Sequence, residues 1–103
     1  MSVIVVATLT PAPGRTQDVL DAFGAVSPLV HEEPGCELYA AHTDGNLVIM
    51  VERWRSREDL DAHAAGAALV ELNRLNEGAL AAETVVHVLR NVPMGDPVKG
   101  TIQ

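Results

Sequence analysis

The chain has 103 residues, with 7 Lys and Arg against 14 Asp and Glu and a formal net charge of −7, which leaves room for one small domain and disfavours nucleic acids and anionic membrane surfaces as partners. No apolar run approaches the length of a membrane span, and the N-terminus has no basic leader. Because the single Cys36 cannot form an internal disulfide, we expect a cytoplasmic protein.

The first third of the chain predicts a strand followed by a helix. Residues 3–7 are apolar and mostly β-branched at both odd and even positions, which point to opposite faces of a strand. This pattern is typical of a strand that is covered on both faces. Apolar residues recur at helical spacing over residues 15–30. Pro28 removes a backbone donor and crowds the preceding turn, so we expect a kink or a restart near Ser27. Glu33-Pro34-Gly35 then ends the helix.

The next segment predicts a β-hairpin and a divided helical region. Residues 36–43 and 47–54 are rich in strand-forming residues, and the sequence Asp44-Gly45-Asn46 between them strongly favours a turn. Ser56-Arg57-Glu58-Asp59 has the form of a capping box, which opens a helical stretch that extends to about residue 78. We expect Gly66 to divide this stretch into two helices.

Residues 83–90 predict the last strand, and residues 93–103 form an irregular tail that either wraps a partner subunit or is disordered. The domain proper is therefore expected over residues 1–92. The order strand, helix, strand, strand, helix, strand predicts an α+β, ferredoxin-like βαββαβ fold with a four-stranded antiparallel sheet and its helices on one face.

An uncovered sheet face predicts a homodimer. Three of the strands are apolar on both faces, but the predicted helices cover only one face of the sheet. Soluble monomers seldom expose an apolar surface as large as the other face would be. We expect a second copy to pack sheet against sheet. By parity, Leu47, Ile49 and Val51 lie on this dimer side, and Trp54 lies on the helix side.

Four short motifs occur in a set order: Glu33-Pro34-Gly35-Cys36, Tyr39 in the second strand, Glu52-Arg53-Trp54, and Asp61-Ala62-His63. Together they resemble the antibiotic-biosynthesis-monooxygenase (ABM) family over residues 3 to 90. The resemblance implies a dimeric α+β barrel and the oxidation of electron-rich phenols, quinols or anthrones by O2 without flavin, metal or haem. Members often carry a second His five residues after the first, where this chain has Ala68, and an Asn on the sheet near the Trp. These departures disfavour haem degradation, the activity of a related branch.

The resemblance implies that Trp54 and His63 are the catalytic residues. His63 would act as a general base on a phenolic proton, and Trp54 would form a pocket wall or donate to a ligand oxygen. Glu52 would orient His63 or bind a ligand hydroxyl, and Tyr39 would donate to a ligand oxygen. A small hydrophobic aromatic ligand needs mostly apolar walls, for which the candidates are Phe23, Met50 and Leu72.

Each polar candidate also has a purely structural interpretation. Trp54 and His63 can be satisfied core residues, and Tyr39 can be an ordinary strand residue. Glu52 can form an ion pair with one of three nearby arginines, Arg53, Arg55 and Arg57, which otherwise form a solvated corner or attract an acidic substrate.

Metal binding and two other functions are alternatives. His42 and His87 could join His63 and Glu52 around a metal, but no close ligand pair such as His-x-His supports this, so we expect neither a metal nor another cofactor. A binding module without catalysis, and a non-oxidative cyclase or isomerase on the same fold, remain open as functions.

Overall fold

The computed structural model describes residues 2–103 and places four strands and three helices along them. These are β1 (Val3–Leu9), α1 (Thr16–His31), β2 (Cys36–Thr43), β3 (Val48–Trp54), α2 (Arg57–Ala64), α3 (Ala67–Leu75) and β4 (Val85–Leu89). The strands form one antiparallel sheet in the order β2-β3-β1-β4. The predicted α+β ferredoxin-like fold is therefore confirmed. Across residues 2–103, no helix is both long enough and apolar enough to span a lipid bilayer.

The local signals for turns and helix ends act as the sequence predicts. Ser56 caps α2, since its side chain accepts the backbone N–H of Asp59 at 3.2 Å. Gly66 is the N-cap residue of α3 and separates this helix from α2, as expected. In the β2–β3 turn, the carboxylate of Asp44 accepts the backbone N–H of Leu47 at 2.8 Å.

The helix α1 runs unbroken through Pro28, so the restart that we expected near Ser27 is wrong. A proline in a helix crowds the carbonyl four residues before it, which belongs here to Gly24, and removes one hydrogen bond. Pro28 lies in the last turn, where a single lost bond affects only the end of the helix. The buried apolar stripe meanwhile holds α1 against the sheet on both sides of the proline, through Val19, Ala22, Phe23, Val26 and Val30.

The helices cover one face of the sheet and leave the other open. In β3, the residues Val48, Met50, Glu52 and Trp54 are buried on the helix side, whereas Ile49, Val51 and Arg53 are half-buried on the other. This confirms the predicted assignment of Trp54 to the helix side. The helical layer packs on β2 and β3, and every residue of β4 is exposed.

The C-terminal tail folds back onto its own chain. Residues 93–103 contain turns and bends. The side-chain amide of Asn91 holds the tail at Ile102, because its Nδ2 donates to the Ile102 carbonyl at 3.1 Å and its Oδ1 accepts the Ile102 N–H at 3.0 Å. Arg53, on the open sheet face, points a guanidinium nitrogen to the same carbonyl at 3.5 Å. The tail therefore lies beside the open face of its own sheet.

Candidate active site

A cavity of about 270 Å³ lies between the helical layer and the sheet. Most of its wall is apolar and comes from β1, β3, α2, α3 and the segment that leads into β4. Six of the residues predicted for the site line this one cavity: Phe23, Tyr39, Met50, Glu52, His63 and Leu72. The fold therefore brings together side chains from five different elements.

Trp54 lies behind His63 rather than on the cavity wall. It is 0% exposed, and its ring stacks on the His63 ring with centroids 4.5 Å apart and planes at 28°. Its indole N–H donates to Glu52 Oε1 at 2.9 Å. In this structure α2 covers this end of β3 and the indole N–H is engaged by Glu52, so Trp54 supports His63 and Glu52 from behind the cavity.

His63 is buried and is held by a carboxylate from another part of the chain. Its Nδ1 donates to Glu33 Oε1 at 2.6 Å. A carboxylate can only accept, so this contact places a hydrogen on Nδ1 and, in the neutral ring, leaves Nε2 with a free lone pair. The edge of the Tyr39 ring packs on His63 with centroids 5.6 Å apart. The imidazole is thus fixed in position and tautomer, as a general base needs to be.

Glu33 is brought to His63 by a tight turn that packs against α2. Gly35 has φ +80°, and a Cβ at this position would collide with the carboxylate of Asp59. The Glu33 Oε2 lies 3.1 Å from the place that a Cβ on Gly66 would occupy. Glycines at these two positions therefore allow the turn to approach α2 closely enough for the Glu33–His63 hydrogen bond.

Glu52 is a buried carboxyl whose pKa is raised. Burial is the main cause, and the hydrogen bond from Trp54 and the proximity of His63 lower the pKa by less. The alternative that Glu52 pairs with an arginine is wrong. Each of the three arginines has another carboxylate within 3.1 Å: Arg53 lies against Glu37 without an aligned hydrogen bond, Arg55 pairs with Asp59, and Arg57 pairs with Asp61.

Tyr39 lies on the helix face of the sheet, directly across from Glu52 in the β2–β3 register. Burial raises its pKa strongly, and the carboxylates of Glu52 and Glu33 raise it further. Tyr39 therefore stays a neutral phenol at physiological pH. It can donate a hydrogen bond but cannot serve as a base.

A family model described as antibiotic biosynthesis monooxygenase matches residues 2–74 of this chain. The chain belongs to the antibiotic biosynthesis monooxygenase family. Its sequence is 33% identical over 72 residues to a probable quinol monooxygenase of Escherichia coli, YgiN; the match covers 57% of this chain and 69% of that protein.

Solved structures show the same fold. Rv0793 from Mycobacterium tuberculosis superposes with a TM-score of 0.83 at 24% identity, over 93% of this chain and 100% of that one. PA3566 from Pseudomonas aeruginosa superposes with a TM-score of 0.80 at 26% identity, over 88% of this chain and 94% of that one. Both similarities concern the architecture of the ABM fold.

In this ABM-family chain, the four candidate metal ligands do not meet. His42 pairs with Ile49 and His87 with Val6, which places both histidines on the open face of the sheet. His63 and Glu52 lie on the helix face. The sheet therefore separates the two pairs, and no group of three potential ligands is arranged around a metal position within residues 2–103.

Four polar residues of the site were not among the predicted site residues: Glu33, Asn73, Asn76 and Thr84. Glu33 stands 30 positions before His63, and its only signal is its place in the motif that precedes β2. Asn76 lines the cavity from the end of α3. A helix-terminal Asn has many ordinary explanations, so its role depends on where the helix ends in space.

Proposed function

We propose that this chain is a cofactor-independent monooxygenase that oxidises a small aromatic phenol, quinol or anthrone with O2 in the cavity beside His63. The observation that carries the proposal is the Glu33–His63 pair at the wall of a mostly apolar cavity. An imidazole oriented by a carboxylate is a competent general base, and apolar walls suit a planar aromatic ligand. The name of the Escherichia coli relative, a probable quinol monooxygenase, agrees with this substrate class.

The reaction begins when Nε2 of neutral His63 removes the phenolic proton, while Glu33 stabilises the imidazolium through Nδ1. The phenolate transfers one electron to O2, and the two radicals combine at a ring carbon to form a peroxide. His63 returns its proton to the outer peroxide oxygen. Loss of the hydrogen on that carbon, with cleavage of the O–O bond, gives the quinone and one water. Each product thus receives one oxygen atom of O2.

The polar groups next to His63 would orient the phenolic oxygen. Tyr39 and Glu52 face each other across β2 and β3 and both line the cavity. The neutral Tyr39 hydroxyl can donate to the ligand oxygen, and Glu52 retains an oxygen that is free of the Trp54 bond. Trp54 then supports the site by holding both Glu52 and the plane of the His63 ring.

The decisive experiment measures O2 uptake by the metal-free, flavin-free protein with a panel of hydroquinones, naphthols and anthrones. We expect uptake to fall at least about 100-fold in His63→Ala, which is the usual contribution of a general base. His42→Ala is the matched control, because His42 is exposed on the opposite face of the sheet, and it should retain full activity. Ligand binding without O2 uptake would instead indicate a binding module, and turnover under argon would indicate a cyclase or isomerase.

We also propose that the open sheet face binds a second copy of this chain. On this face, Val85 and Leu89 of β4 are 52% and 48% exposed, and they share the face with the half-buried Ile49 and Val51 of β3. Leu89→Lys should produce a monomer in sedimentation equilibrium, whereas Val70→Lys, at a 67% exposed position on α3, should not. A monomeric wild type at micromolar concentration would refute the dimer.

A cytoplasmic location completes the proposal. The chain has a single cysteine, which fits a reducing compartment. Fractionation of cells that express the tagged protein provides the check, and recovery in a membrane or secreted fraction would contradict it.

A further inference from the structure

Trp54 is the only tryptophan of the chain, and it is completely buried with one ring face against His63. The centroids of the two rings lie 4.5 Å apart and their planes differ by 28°, which is a stacked arrangement. Two rings can stack in this way simply to fill a core. Here the contact also has an electrostatic side, because the imidazole of His63 becomes a cation when it takes a proton.

A cation over the face of an aromatic ring is attracted by the negative charge of that face, and tryptophan gives the strongest attraction. The attraction reaches to about 6 Å from the ring centre, so the observed 4.5 Å lies within range. A neutral imidazole gains much less, because it carries no net charge. Burial strengthens the contact, since Trp54 is inaccessible to water and His63 is only 5% exposed. The stack therefore favours the protonated form of His63 over the neutral form.

The hydrogen bond of the indole adds to this effect. Its N–H donates to Glu52 Oε1 at 2.9 Å, which polarises the indole and leaves more electron density on the ring. Glu33 Oε1 meanwhile accepts from Nδ1 of His63 at 2.6 Å. Three other titratable groups thus face His63 from neighbouring elements, namely Glu33, Glu52 and the Tyr39 phenol. The protonated ring is held at Nδ1 by a carboxylate and over its face by a π system, which leaves Nε2 for the reaction.

We propose that Trp54 is a positioning residue that stabilises the protonated form of His63 through this stack and so strengthens His63 as a base. The stabilisation is a property of the fold and needs neither substrate nor O2. Its consequence for catalysis rests on the function proposed above, in which His63 takes the phenolic proton. Weakening the π face of Trp54 should then slow proton removal even if the size of the side chain hardly changes.

The test replaces Trp54 with tryptophans that carry one, two or three ring fluorines, supplied to a tryptophan auxotroph. Each fluorine withdraws electrons from the π face and adds little volume, and the substitution affects one site because the chain has a single tryptophan. Nitrogen NMR of the imidazole rings measures the protonated fraction of His63 at about pH 6.5. We expect the ratio of protonated to neutral His63 to fall stepwise along the series, by roughly 2- to 30-fold in total, which is the range of a cation–π contact.

Two controls separate the ring face from other effects of fluorine. His42 and His87 lie on the open face of the sheet, so their protonated fractions in the same spectra should stay constant. Fluorine also makes the indole N–H a better donor, so the series is repeated in Glu52→Leu, which has no acceptor for that N–H. The trend at His63 should persist in this background. If Glu52→Leu does not fold, Glu52→Gln, whose acceptor is uncharged, takes its place.

A protonated fraction of His63 that is constant along the series would overturn the inference. An equal change at His42 and His87, or a trend that disappears in the Glu52 variant, would also overturn it. O2 uptake by the same samples with a naphthol separates this outcome from the proposed reaction. A falling protonated fraction without O2 uptake would support the stack and contradict the monooxygenase. O2 uptake with an unchanged protonated fraction would do the reverse.

Discussion

Replacing Glu33 with Gln removes the charge that holds His63 while preserving the size of the side chain. A hydrogen bond to a charged group contributes about 1.5 to 3 kcal/mol, which corresponds to roughly 10- to 150-fold in rate. The Nδ1–Oε1 distance of 2.6 Å indicates a strong contact, but the Glu33 side chain is 21% exposed and partly screened by solvent. We therefore expect kcat/KM at neutral pH to fall by about 10- to 50-fold.

An O2 electrode with a naphthol substrate measures this effect, and its pH dependence separates catalysis from folding. A phenol ionises by itself near pH 10, so the loss should shrink as the pH approaches that value and the base becomes unnecessary. The matched control is Glu37→Gln, because Glu37 pairs with Arg53 on the open face. The reasoning fails if Glu33→Gln is as active as Glu37→Gln, or if its loss is the same at every pH.

Three further predictions concern the stability of the site. The folded-state pKa of Glu52 is raised above 4.5 by burial, so its contribution to stability is complete below about pH 4.5 and is lost as pH rises through the folded-state pKa. Urea denaturation should thus show that the wild type loses free energy of unfolding relative to Glu52→Gln as the pH rises, by at most about 1.4 kcal/mol per pH unit. Free energies of unfolding that run parallel with pH in the two proteins would contradict this. Trp54→Phe leaves the Glu52 carboxyl without its indole donor and should cost about 1 to 3 kcal/mol by circular dichroism, with a smaller cost in the Glu52→Leu background, which has no acceptor for the indole; equal costs would exclude the coupling. Gly35→Ala should lower Tm more than Gly45→Ala, since both glycines have positive φ but only Gly35 abuts Asp59; equal losses would show that the turn does not pack on α2 as described.

The fold could be predicted because its signals are local. Turn residues such as Asp44, the Ser56 cap and the division at Gly66 act over three or four positions, and the strand and helix periods are visible within each segment. The predicted restart of the helix near Ser27 was wrong for the complementary reason. The expected break would occur in an isolated helix, but packing against the sheet holds α1 together on both sides of the proline.

The site was predictable only as a set of side chains that share a face. The sequence by itself determined that Met50, Glu52 and Trp54 lie together, because alternation along a strand is a property of the backbone. Tertiary structure alone decided which of them reaches the cavity, because burial of Trp54 depends on α2, and the face of Tyr39 depends on its register with β3. The same holds for Glu33 beside His63 and for the buried side-chain oxygen of Asn76, which has no hydrogen-bond partner within residues 2–103. Both depend on distances between segments far apart in the chain, which no local pattern encodes.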